Sequence, residues 1–244
     1  SASRVTADMV IAIDPGDIRK RYAKKMEFLG KVYDGSEHEI GKGYPLCKAI
    51  ATDIESKQVI PLYCEAYSIL AEDVKSENSQ LLKLIDLLFT YLKDHGIHAI
   101  DRGGDRGVLY QKYLRDKEPK RFVIRLMKRD LIHQGRRSNC TDLAKALPTP
   151  YETVLIVYED GKEKKRTVSY NAIPVKLPSS SHKLSLVVVK GFGLEPMMLL
   201  TSCPLGKQRK EGIWRIVEYY LARWKCDESY RYIKQCYHLE DLRV

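Results

Sequence analysis

Short apolar runs alternating with one long amphipathic stretch constrain this chain more than any other feature. Residues 9–13, Met-Val-Ile-Ala-Ile, run into Asp14-Pro15-Gly16-Asp17. So brief an apolar run, bounded by turn residues, reads as a buried strand with Asp14 at its end. A polar loop containing Asp34-Gly35-Ser36 and Gly41-Lys42-Gly43 leads to strand candidates near 45–53 and 58–65, joined by Glu55-Ser56-Lys57 as a hairpin. Ser76-Glu77-Asn78 offers an N-cap. From there Leu81, Leu82, Leu84, Ile85, Leu88, Phe89 and Leu92 recur at helical spacing to about Asp94, and His95-Gly96 stops the helix. Strands are expected again at 97–100 and 121–127, with a helix over 106–116 between them. The order β, β, β, α, β, α, β predicts an α/β fold with a mixed sheet.

Residues 130–150 read as irregular and basic, and from Thr153 the pattern becomes all-β. Strands at 154–158 and 166–170 flank Glu159-Asp160-Gly161-Lys162, a hairpin signal, and further strands fall at 184–190 and 197–200. After Cys203-Pro204-Leu205-Gly206 the helical pattern returns over roughly 210–235. The chain therefore divides into a first core segment (1–130), a β-rich insertion (131–206) and a closing helix (207–244).

With 44% hydrophobic and 30% charged residues in 244, the composition suits a globular protein with a sizeable core. No apolar run approaches the roughly 18 residues a membrane span requires. The start, Ser1-Ala2-Ser3-Arg4, lacks the apolar stretch of a signal peptide and reads as the middle of a longer protein. A net charge of +10 favours a polyanionic partner, because each neutralised phosphate releases counterions. The six cysteines include no Cys-x-x-Cys pair, which argues against structural zinc and against a disulfide scaffold. Buried, reduced thiols of a cytosolic protein are expected instead. His95 and His98 have no ligand spacing and read as structural.

The closing helix carries the chemistry. At about 100° per residue, Arg223, Asp227 and Lys234 fall at roughly 300°, 340° and 320° from Tyr220, so the four share one face. Ile213, Ile216 and Trp224 lie on that face too, which turns it toward the protein body. Asp14 and Asp101 each follow a short apolar strand. Should those strands neighbour each other, both carboxylates emerge at one edge with Asp227 opposite. Three hard oxygen donors suit Mg²⁺ or Mn²⁺. Asp17 competes with Asp14, and Asp105 is better placed than Asp101 to cap the helix at 106.

Tyr220-x2-Arg223-x3-Asp227-x6-Lys234, with Asp101-Arg102-Gly103-Gly104-Asp105 and Ile11-Ala12-Ile13-Asp14, resembles the catalytic region of bacterial cut-and-paste transposases of the insertion-sequence-4 type. Lys75-Ser76-Glu77-Asn78 and Asp34-Gly35-Ser36 add to the likeness, which extends along essentially the whole chain. The resemblance implies a ribonuclease H-like mixed sheet flanked by helices and interrupted by an all-β insertion. It implies an acidic metal triad, Asp14, Asp101 and Asp227, holding two Mg²⁺ or Mn²⁺ ions, and a family signature with Glu where this chain has Asp227. Glu228, about 100° further round the helix, is the understudy.

By the same resemblance Tyr220, Arg223 and Lys234 contact phosphates at the transposon end and steady a flipped base, with Arg231 and Arg102 as further DNA contacts. Phe192 is the one aromatic in the insertion near that task, and core packing is the plainer reading of it. Transposon-end and target DNA, a homodimeric synaptic complex and a prokaryotic, nucleoid-associated cytoplasmic setting complete the implied picture, and an end-binding domain is expected N-terminal to this region. Candidate backbone-tracking patches are Arg19-Lys20-Arg21 with Lys24-Lys25, Lys128-Arg129 with Arg136-Arg137, and residues 207–210; Lys162 to Arg166 reads as plain surface. The alternatives are an inactive DNA-binding derivative and a ribonuclease H-like nuclease without strand transfer.

Overall fold

The computed structural model describes residues 2–23, 25–34, 39–159 and 162–236. Lys24, Gly35, Ser36, Asp160 and Gly161, named above, lie outside the described residues. The mixed α/β architecture expected from the sequence, a mixed sheet with flanking helices, is the one found. Two compact units divide the chain: residues 1–97 with 222–244, and residues 98–221.

In the first unit, β1 (Val10–Arg19), β2 (Gly30–Asp34), β3 (Glu39–Thr52) and β4 (Val59–Ala66) pair antiparallel with one another. β3 pairs with the other three. Two expectations are corrected here. Asp14-Pro15-Gly16-Asp17 is not a turn: β1 runs through it to Arg19, paired residue by residue with β3. Val10 to Ile13 are buried and the remainder only partly so. Of the loop expected over 34–43, the described residues, 34 and 39–43, are strand. A Cβ on Gly43 would stand 2.2 Å from the Ile18 carbonyl oxygen. The β3–β4 hairpin is as expected. The Asp53 carboxylate accepts from the amides of Glu55 and Ser56, which lowers its pKa.

Helix α1 (Glu77–Leu92) starts at a capping box in which Ser76 and Ser79 satisfy each other's amides. It buries Leu81, Leu84, Ile85, Leu88 and Leu92. Gly96 ends the passage at φ +84°, and a Cβ there would meet Ile11 Cγ1 at 2.4 Å. The chain leaves this unit inside β5 (Ile97–Ile100), whose first amide donates to the Met9 carbonyl. Helix α5 (Trp224–Cys236) returns to it and sets Cys226 against Ala12 and Ile50.

The second unit continues from β5 through α2 (Gly107–Tyr113) to β6 (Phe122–Arg125), parallel to β5. Antiparallel strands β12 (Met197–Thr201), β11 (Leu184–Lys190), β10 (Lys162–Val175) and β9 (Tyr151–Glu159) extend the sheet in that order. Residues 130–150 are not irregular. They form the hairpin β7 (Asp130–His133) and β8 (Arg136–Asn139), then α3 (Cys140–Ala146). Gln134 and Gly135 turn the hairpin at φ 50° and 78°, and Asn139 caps α3 by accepting from the Thr141 amide. Helix α4 (Arg209–Ala222) buries Ile213, Ile216, Val217 and Tyr220, and Trp214 meets Tyr170 at 5.2 Å between rings.

Cysteines 47, 140, 203 and 226 are buried, but Cys64 and Cys236 are exposed, so burial is not general. No helix among the described residues is long and apolar enough to cross a membrane. His95 holds the Val5 carbonyl and His98 the Tyr113 hydroxyl, each at 2.8 Å.

Burial, with Arg121 and Lys120 nearby, pushes the His98 pKa down to about 3. Below about pH 6.5 the unfolded chain binds a proton that the folded chain excludes. The contribution is therefore complete above pH 6.5 and is lost as pH falls toward 3. In urea unfolding at pH 7 and pH 4, His98→Asn should shrink the wild-type loss of stability by about 3 kcal/mol. A separate expectation is that Gly96→Ala costs about 1–3 kcal/mol in thermal melts, through its positive φ and the clash with Ile11.

Candidate active site

Asp14 lies directly opposite Lys48 in the β1–β3 pairing. Facing positions on antiparallel strands bring side chains to within about 5 Å, and the Lys48 Nζ stands 2.9 Å from Asp14 Oδ2. Lys48 is only 5% exposed, in a run that is otherwise apolar. Its ammonium also sits 3.7 Å from the centre of the Tyr230 ring. Tyr230 in turn donates its hydroxyl proton to the Asp17 carbonyl, tying α5 to β1. Asp17 is thus engaged through its backbone, and Asp14 through its carboxylate.

Arg223 joins the second carboxylate to the first. Its Nη1 stands 3.7 Å from Asp14 Oδ1 and 3.2 Å from Asp227 Oδ2. The single closing helix expected over 210–235 is interrupted here: α4 ends at Ala222 and α5 begins at Trp224. The Cys226 amide donates to the Arg223 carbonyl, a tighter i→i+3 bond. One helical hydrogen bond contributes about 1 kcal/mol, whereas a buried guanidinium without its carboxylates costs several. The backbone gives way to the charge.

The break also ends the common face. Tyr220 and Arg223 are buried, Asp227 is half-exposed, and Trp224 is 60% exposed rather than turned inward. Lys234 lies 4.8 Å from the Tyr230 ring centre, and Arg231 is exposed.

Burial, and next to it the Asp14 carboxylate, raise the Asp227 pKa, while Arg223 and Lys48 lower it. Asp227 lies in the first turn of α5, where the helix dipole favours an anion. Glu228 points to Lys225, 2.6 Å away, and takes no part in the cluster. Burial pushes the neighbouring Cys226 thiol up to about 12, so it is no nucleophile.

In the second unit Asp101 follows β5 directly, as expected. Its Oδ1 accepts from the Tyr220 hydroxyl at 2.7 Å, and Arg125 Nη1 lies 3.3 Å from that hydroxyl and 3.8 Å from Asp101 Oδ1. Burial, followed by the Asp101 charge, raises the Tyr220 pKa, so the phenol stays protonated and donates. Asp105 is not the N-cap of α2, a place taken by Arg106. Its carboxylate, 3% exposed, receives Arg129 Nε at 2.5 Å, the Met127 amide at 2.9 Å and the Tyr110 hydroxyl at 3.2 Å. It is a structural hub beneath the loop after β6. A cleft of about 820 Å³ opens there, lined among others by Arg102, Arg125, Lys128, Arg129 and Lys145.

In the candidate backbone-tracking patches Lys20 is buried, Arg19 pairs with Glu39 and Arg137 pairs with Asp130. Phe192 is half-buried in the β11–β12 loop, where its carbonyl accepts from Arg166. Lys48, Tyr230 and Arg125 were missed. The available signal was a lone cation inside or ending an apolar strand, at Leu46-Cys47-Lys48-Ala49-Ile50 and Phe122-Val123-Ile124-Arg125.

Among the described residues no group of three or more His, Cys, Asp or Glu is assembled as metal ligands. The chemistry of the donors suits a hard cation, since Asp14 and Asp227 supply carboxylate oxygens, and in this structure both face the Arg223 guanidinium.

No protein family's sequence profile and no curated protein matches this chain. Among solved structures it is similar to a piggyBac transposase in a synaptic complex with hairpin DNA. The identity is 13% and the TM-score 0.48, over 96% of this chain and 41% of that one. The chain thus spans about two-fifths of that transposase chain's length.

Arg223→Met should raise the Asp227 pKa further, because it removes a charge that lowers it, and this is readable in a carboxyl-carbon NMR titration. It should also cost about 2 kcal/mol or more by leaving Asp14 and Asp227 facing each other. The loss should be smaller in the Asp14→Asn background, since the two side chains interact directly.

Proposed function

We propose that this chain is the catalytic region of a metal-dependent DNA transposase of the insertion-sequence-4 type, which cleaves and joins DNA at transposon ends. The observation that carries this reading is the meeting of Asp14 and Asp227, 213 positions apart along the chain, on the Arg223 guanidinium. The spacing Tyr220-x2-Arg223-x3-Asp227-x6-Lys234 and the +10 charge support it.

In this reading residues 1–130 and 207–244 form the core and 131–206 a β-rich insertion. Asp14, Asp101 and Asp227 would hold Mg²⁺ or Mn²⁺, two ions in the full reaction. Such ions supply an activated attacking oxygen and stabilisation of the leaving one. The protein's own groups do the orienting. Arg223 aligns Asp14 with Asp227, and the Tyr220 hydroxyl fixes Asp101 with Arg125 behind it. Arg102, Arg231 and Lys234 serve DNA phosphates, as does the basic cleft after β6, where Arg forks clamp and Lys supplies point charge. Transposon-end and target DNA, and a second copy of the chain in the synaptic complex, are the partners in this reading.

A second reading is an inactive DNA-binding derivative. It is favoured by the two cations, Lys48 and Arg223, that already balance Asp14. Asp101→Ala separates the two. For an active transposase it lowers Mg²⁺-dependent nicking of transposon-end DNA by at least about a thousandfold while duplex binding in a gel shift is retained. Nicking that survives Asp101→Ala refutes the assignment. A wild-type protein that binds DNA but neither nicks it nor takes up Mn²⁺ in calorimetry favours the derivative. Strand joining in the same assay excludes a simple nuclease.

A further inference from the structure

Lys48 is an unusual neighbour for a carboxylate meant to hold a divalent cation. It is 5% exposed and contacts Asp14 Oδ2 at 2.9 Å, and so lies where a cation bound to that oxygen would experience its charge. Burying an ammonium in an apolar strand is costly unless something compensates it. Here Asp14 and the Tyr230 ring face do so, the ring centre lying 3.7 Å from Nζ. The ammonium also has room to move. Lys48 lines a cavity of about 230 Å³ together with Tyr230, Ser229, Cys226 and Tyr63, and the nearby Gly16 adds no side-chain bulk. A Cβ at Gly16 would fall 3.8 Å from Nζ and 3.7 Å from the Tyr230 ring.

We propose that Lys48 is a positioning residue which holds Asp14 in the cation-free protein and competes with a divalent cation for that carboxylate. When the cation binds, the ammonium leaves Asp14 for the adjoining cavity while keeping its contact with the Tyr230 ring. Asp14 is thereby kept aligned with Asp227 and Arg223 before any ion arrives, at a cost in ion affinity. The proposal rests on the reading of Asp14 as a cation ligand.

The test is Mn²⁺ titration by calorimetry on the whole chain, comparing wild type with Lys48→Met and Lys48→Arg. Lys48→Met should bind Mn²⁺ about tenfold more tightly, and Lys48→Arg should stay within about twofold of wild type. A purely structural lysine would give the opposite result, with affinity unchanged or weakened in Lys48→Met, and that outcome overturns the proposal. Should Lys48→Met fail to fold, wild-type lysine acetylation followed by mass spectrometry provides an independent readout. Lys48 should label several-fold faster with saturating Mn²⁺ than without, and equal labelling overturns the proposal. Wild-type protein that takes up no Mn²⁺ overturns the cation-ligand reading itself, and the proposal with it. Uptake that is indifferent to Lys48 overturns the proposal alone.

Discussion

A buried guanidinium held between two carboxylates organises the first unit of this protein. Arg223 is 5% exposed, and its contacts to Asp14 and Asp227 join strand β1 to helix α5. Three features follow from satisfying that charge. The closing helix breaks at Arg223 rather than running on. Lys48 faces Asp14 from β3, so that the carboxylate meets positive charge on both sides. Tyr230, one turn after Asp227, covers the Lys48 ammonium and pins β1 through the Asp17 carbonyl. Each of these side chains would be costly to bury alone; together they offset one another.

The second unit solves a similar problem with the opposite emphasis. Two aspartates four residues apart divide the tasks. Asp105 is almost fully enclosed and takes hydrogen bonds from Arg129, Met127 and Tyr110, which suits a group whose role is to shape a loop. Asp101 keeps a side chain 36% exposed, accepts a 2.7 Å bond from the Tyr220 hydroxyl and has Arg125 nearby. The two aspartates thus differ in exposure, Asp105 being enclosed and Asp101 open to the solvent side.

Much of this was legible in the sequence where local and tertiary demands agree. Helix α1 was readable to within about two residues because its cap, its leucine spacing and its terminating glycine point the same way. The reading failed where a tertiary partner overrides local preference. Asp14-Pro15-Gly16-Asp17 has turn chemistry, yet β3 holds it extended. The segment 130–150 concealed a hairpin whose turn is Gln134-Gly135, a weaker signal than Asn-Gly. In the site, Tyr220, Arg223 and Asp227 stood out by helical spacing and Asp101 by its place after a strand, whereas Asp14 lies inside β1 rather than at the strand end expected for it. Lys48, Arg125 and Tyr230 did not stand out, because their significance lies in cross-strand register and in a helix break that no periodicity encodes.

That break bears on the choice between Asp227 and Glu228. On an uninterrupted helix the two are separated only by rotation, and the longer Glu could reach further. With α5 starting afresh at Trp224, Asp227 lies in its first turn and within 3.2 Å of Arg223, while Glu228 is drawn to Lys225. A glutamate at 227 would reach about one methylene further, in surroundings where the Asp14 charge already raises the Asp227 pKa. The shorter acid therefore suits a site in which Arg223 and Lys48 crowd Asp14.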